Sequence, residues 1–153
     1  MEVMTEMTVR MAVPDDMHKV VELGRRFLLE GPYRGELEDN PEKATQFACS
    51  LLQHPSGRIL VADDGEKVVG VFAFFAYDHL FSGELTAVEL IWYVEPESRP
   101  GGIALKLLAA GEKMAREMGC VKMQLTAPTE EVGNLYRYCG GYKKIEVSYQ
   151  RKL

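Results

Sequence analysis

Residues 87–108 read AVELIWYVEPESRPGGIALKLL, and the stretch changes character halfway. Its first eight positions are mostly β-branched, aliphatic or aromatic, the make-up of a strand on a half-buried sheet. Glu95-Pro96-Glu97-Ser98-Arg99-Pro100 then breaks the run, and two glycines follow. Beyond them Ile103, Leu107, Ala110, Met114 and Met118 recur at steps of three and four, which predicts a helix capped near Gly119. Glycines weaken a helix interior, so Gly101 and Gly102 belong to a turn or to a place where a ligand meets bare backbone. The first N–H groups of a helix lack intrahelical partners and carry the positive end of its dipole. With the fork of Arg99 beside them, they suit a phosphate or diphosphate. No Gly-Lys-Ser/Thr follows and no GxGxxG is present, so this is neither a P-loop nor a dinucleotide fingerprint. Taken alone, a tight turn feeding an amphipathic helix explains the loop equally well.

The flanking sequence builds a sheet around this unit. Residues 7–13 alternate as a first strand, and Pro14 with two aspartates opens a helix that Gly31-Pro32 stops. Asn40 and Pro41 open a second helix with Ala44, Phe47, Ala48, Leu51 and Leu52 on one face. RILVA and VVGVFAFFAY flank an Asp-Gly turn and predict a hairpin. Residues 121–127 alternate as a strand, EEVGNLYRYC reads as a short helix, and YKKIEVSYQRK places Ile145, Val147 and Tyr149 on one face of a closing strand. The order β-α-α-β-β-β-α-β-α-β over residues 1–153 predicts one domain of the α/β (α+β) class. Its central sheet is mixed and mostly antiparallel, with helices on both faces and a right-handed crossover through the third helix.

Composition narrows the function. The 153 residues, 46% hydrophobic and 27% charged, suit a single core. A net charge of −5 argues against a mainly electrostatic nucleic-acid binder. No run approaches a membrane span, and the opening MEVMTEMTVRM has two glutamates and no apolar core, so no signal peptide is expected. Three scattered cysteines without CxxC spacing read as reduced, buried thiols, and a cytoplasmic location is expected. His18, His54 and His79 are isolated and lack metal-ligand spacing, so no metal is expected.

Arg99-Pro100-Gly101-Gly102-Ile103-Ala104 resembles the Arg/Gln-x-x-Gly-x-Gly/Ala pattern of the GNAT superfamily of acetyl-CoA-dependent N-acetyltransferases. TVRMAVPDDMHKVVEL is similar to that family's first strand and helix, and NLYRYCGGYKK to its late helix and the glycine-aromatic pair before the closing strand. The resemblance implies acetyl-CoA as cosubstrate. It puts the pyrophosphate on Gly101, Gly102, Ile103 and Ala104, beside Arg99, with Asn134 near the pantetheine or phosphate arm. It runs pantetheine along a strand edge, where an N–H near Trp92, Tyr93 or Val94 faces the thioester carbonyl. Pro100 departs from the pattern by removing one backbone donor.

Transfer to an amine needs a neutral nucleophile and a proton for the departing thiolate. Glu89 interrupts an apolar strand and reads either as a general base or as a strand-edge carboxylate. By alternation it shares a face with Ala87, Ile91 and Tyr93. Tyr136 holds the family's acid position, while the doubled Gly140-Gly141 blurs the register and keeps Tyr138 as a second candidate. The resemblance implies that residues 30–40 line the acceptor site, where Glu36, Glu38 and Asp39 would attract a cationic amine, with 78–83 on the opposite wall. Read from the residues alone, 30–40 is as well explained by a solvated loop. The expected partners are acetyl-CoA and a small-molecule or protein amine, without nucleic acid or membrane, and with a homodimer left open. Two other functions stand beside this one: a CoA-binding regulatory or interaction module without catalysis, and an acetyltransferase acting on aminoacyl-tRNA.

Overall fold

The computed structural model describes residues 6–153. Strands β1 (Thr8–Met11), β2 (Gly57–Asp63), β3 (Val68–Asp78), β4 (Leu85–Val94) and β5 (Lys122–Gln124) form one sheet in sequence order. The first four pair antiparallel, and β5 joins β4 in parallel. Helices α1 (Met17–Glu30) and α2 (Pro41–Gln53) cover one face, α3 (Ile103–Glu117) covers the other, and α4 (Glu130–Gly140) follows β5. The mixed, mostly antiparallel sheet between helices is therefore the architecture expected from sequence.

Local chemistry explains the boundaries. The Asn40 side chain accepts from Lys43 N at 3.1 Å, with Pro41 in the first helical position. Val13 N donates to the Asp16 carboxylate at 2.8 Å, which Arg10 also grips at 2.7 and 3.0 Å, pulling its pKa below the ordinary range. The continuous apolar run of β3 is buried on both sides. Phe72 and Phe74 pack toward α3, while Val71 and Ala73 pack toward α1 and α2.

Two expectations fail at strand ends. Residues 143–153 form no strand, and Ile145, Val147 and Tyr149 are exposed. Alternation specifies a strand only where an edge accepts it, and β5 pairs over three residues, which makes a short template. The strand expected over 121–127 stops at Gln124 because Thr126 N donates to the Glu89 carboxylate instead of to a ladder. Of the cysteines whose side chains are described, Cys120 is buried and Cys49 exposed; Cys139 lies outside them.

A β-bulge shapes β4. Ala73 faces Ile91 while Phe74 faces Glu89, so Leu90 is an extra residue on β4. The bulge inverts the alternation. Ala87 and Glu89 lie on the α3 side, whereas Ile91 and Tyr93 pack toward α1 and α2. The expected shared face of Glu89 with Ile91 and Tyr93 is thereby corrected.

Candidate active site

The parallel pairing of β4 with β5 ends at Val88 opposite Gln124, and the strands separate beyond it. Along the remainder of β4, alternate backbone groups on that edge have no strand partner. A cleft of about 1080 Å³ runs through the gap, from α4 past the end of β4 to the space between α1 and α2. Glu89, Trp92, Tyr93, Val94, Arg99, Ala104 and Tyr136 line it.

Glu89 and Tyr136 converge on the backbone of one residue, Thr126. The Glu89 carboxylate accepts from Thr126 N at 3.1 Å, and the Tyr136 hydroxyl donates to Thr126 O at 3.2 Å. Burial of Glu89 to 8% exposure lifts its pKa to about 7, against the weaker opposing pull of the Thr126 N–H. Burial, followed by the neighbouring charge of Glu89, pushes the Tyr136 hydroxyl up, so it stays protonated. The Tyr136 ring stacks on Trp92 with centroids 5.4 Å apart, and Tyr142 lies tilted against it at 6.3 Å. Trp92 Nε1 is buried without a hydrogen-bond partner among the described residues. A carboxyl near 7 and a protonated phenol bonded to the two backbone groups of Thr126 have the chemistry to accept and to donate a proton at neutral pH.

Gly140 and Gly141 explain the blurred register. α4 runs to Gly140, and Gly141 takes φ +68° as its left-handed cap, with Gly141 N donating to Arg137 O at 3.3 Å. Tyr136 then faces the cleft, while Tyr138 is 88% exposed and outside the lining.

At the mouth of α3, Gly101 and Gly102 have φ of +106° and +76°, and a Cβ added to either would meet no atom within 4 Å. Both positions need glycine for conformation, and both leave the backbone open. Gly102 caps α3 with no side chain, so the first N–H groups of the helix keep free hydrogens. The other residues expected there divide. Ala104 lines the cleft, Ile103 is buried in the core beneath α3, and Pro100 and Asn134 are exposed outside the lining.

Arg99 is held by the cleft wall. Its Nε donates to Val94 O at 2.9 Å, its Nη2 to Glu30 at 3.0 Å, and its guanidinium lies 5.4 Å from the Tyr93 ring centre. Tyr93 donates to the second oxygen of Glu30 at 2.5 Å. Burial works against ionisation of Glu30, yet the bonds from Tyr93 and Arg99 hold its pKa low. Sequence reasoning missed Glu30, whose partners are far along the chain; no local pattern marks it. Of the expected acidic wall, Glu38 and Asp39 line the cleft and Glu36 does not, and residues 78–83 lie outside it.

The acetyltransferase (GNAT) family model matches residues 24–140. The chain belongs to that family. Solved structures share the GNAT fold at low identity. A transcriptional regulator from Bacillus halodurans C-125 superimposes with a TM-score of 0.80 at 20% identity, covering 97% of this chain and 100% of that one. A predicted acetyltransferase with acetyl-CoA from Clostridium acetobutylicum gives 0.78 at 19%, with 96% of each chain covered. A ribosomal-protein-alanine N-acetyltransferase from Brucella melitensis biovar Abortus 2308 gives 0.73 at 20%, covering 96% and 99%. No curated protein sequence matches the chain. Within this GNAT domain no helix among the described residues is long and apolar enough to cross a membrane.

Proposed function

We propose that the protein transfers the acetyl group of acetyl-CoA to a primary amine by direct attack. The observation that carries this reading is the convergence of Glu89 and Tyr136 on Thr126, in the gap where β4 leaves β5. The residues present fit the cosubstrate. The open backbone of Gly101 and Gly102 and the free N–H groups opening α3 suit its diphosphate, with Ile103 and Ala104 in the first turn. The unpaired edge of β4 through Trp92, Tyr93 and Val94 suits the amides of pantetheine and offers a donor to the acyl oxygen. Arg99, tied to Glu30, positions this loop against the end of β4, and Asn134 at the surface of α4 stays a candidate for the outer arm.

Acetyl-CoA supplies an activated acyl carbon on a thiol leaving group. Glu89, half ionised near pH 7 and increasingly so above it, removes a proton from the incoming ammonium, directly or through one water. Tyr136 keeps its proton at neutral pH and gives it to the departing sulfur. Trp92 fixes the phenol by stacking, and Thr126 O fixes its hydroxyl. The reaction class is that of the family, and the chemistry uses no residue outside the cleft.

The test follows thiol release from acetyl-CoA across a panel of amines. Wild-type protein should turn over with at least one, and Glu89→Gln and Tyr136→Phe should each lose about a hundredfold in kcat or more. Undiminished turnover in both variants would remove these assignments.

A further inference from the structure

The end of the cleft between α1 and α2 is unlike its catalytic end. Phe27, Leu28, Leu37, Ala44 and Phe47 line it, and Leu37 and Phe47 are 50% and 57% exposed although they face a concavity. Large apolar side chains left open inside a cavity mark a ligand surface. Phe27 extends it as an aromatic wall, tilted against Tyr33 at 5.9 Å and edge-on to Tyr93 at 6.4 Å.

The charges lining the same end are already matched. Asp39 accepts from Arg25 Nε at 3.0 Å and from Nη2 at 2.7 Å, and Glu30 accepts from Tyr93 and Arg99. What remains at the rim is one charge of each sign, Glu38 and Lys43, both exposed. A polycation or amino sugar needs several free carboxylates or polar groups along its length. A peptide N terminus brings backbone amides that an apolar wall leaves unpaired. Beyond the buried carboxylate of Glu89, the wall between α1 and α2 is mostly hydrocarbon, with Tyr33 and Asn40 as its uncharged polar side chains.

We infer that the acceptor is a small primary amine carried on a single uncharged aromatic or branched-aliphatic body, selected by Phe27, Leu37 and Phe47. The inference rests on the acetyl-transfer reading and names its substrate class. The ammonium loses one proton to Glu89, its nitrogen bonds to the acyl carbon, and the carbon–sulfur bond breaks with the electron pair leaving on sulfur. Tyr136 protonates the sulfur, and the second nitrogen proton restores the phenol through solvent. Ammonium and thioester thus give amide, thiol and one released proton.

The experiment compares 2-phenylethylamine, spermidine, kanamycin and an alanine-initiated hexapeptide as acceptors, by thiol release. Phenylethylamine should show kcat/KM at least tenfold above the others. Phe47→Asp should cut that value by about tenfold or more, the cost of losing one buried aromatic contact, and leave KM for acetyl-CoA unchanged. Phe47 is exposed on α2, so the variant should fold. A larger kcat/KM for spermidine, kanamycin or the peptide would overturn the inference and leave acetyl transfer standing. Trp92 is the chain's single tryptophan and lines the cleft, so its fluorescence reports binding without chemistry. Saturable quenching by phenylethylamine that Phe47→Asp abolishes, with no turnover of any amine, would sink the transfer reading and uphold the pocket assignment. Neither turnover nor saturable quenching would overturn both.

Discussion

Glu89 stands 8% exposed on an otherwise apolar strand, with one backbone N–H for company, and its pKa rises to about 7. The same burial makes it costly to the fold. Between the ordinary value of 4.5 and about 7 the folded protein holds a proton that the unfolded chain releases, so stability falls as pH rises through this window. The full gap corresponds to about 3 kcal/mol at most. Glu89→Gln should therefore melt above wild type at pH 8.5 and level with it near pH 4.5, by calorimetry. A constant difference across that range would contradict the burial account. Tyr136→Phe loses a hydrogen bond of about 1 kcal/mol and the proton for the leaving sulfur, so kcat should fall far more than stability. Glu89 and Tyr136 were both legible as candidates. Their meeting on Thr126 was not, because it depends on where β5 stops.

Among the elements, the loop 95–102 and the helix after it were readable because glycine, proline and helical spacing are local signals. Gly102 matched the family pattern, while Gly101, a residue that pattern does not require, proves to need a φ of +106°. Gly101→Ala and Gly102→Ala should each cost about 1 kcal/mol in chemical denaturation and weaken CoA binding in calorimetric titration. Unchanged binding in both variants would argue against the cradle. The bulge at Leu90 left no such trace. It is set by pairing with β3, and it moved Ile91 and Tyr93 to the face opposite Glu89. The tail from 143 shows the converse: a period-two pattern is present, and no edge holds it.

On the scale of the whole molecule, two apolar layers sandwich the sheet, and the cleft opens where the sheet loses its continuity. The α3 layer is close-packed at Gly111, where an added Cβ would lie 2.5 Å from the Phe72 ring. Gly111→Ala should lower stability by about 1–3 kcal/mol through overpacking, and a thermal shift of zero would mean that Phe72 can move freely. Phe72 also meets Trp92 edge-on at 5.8 Å, so this core reaches the stacked Tyr136 through one tryptophan. The central claim, that one buried carboxylate drives acetyl transfer, is tested most directly by the pH dependence of kcat/KM in wild type and Glu89→Gln. Wild type should rise through an apparent pKa of about 7 and level off, and the variant should be slower by about a hundredfold and lack that limb. An identical limb and rate in the variant would contradict the account.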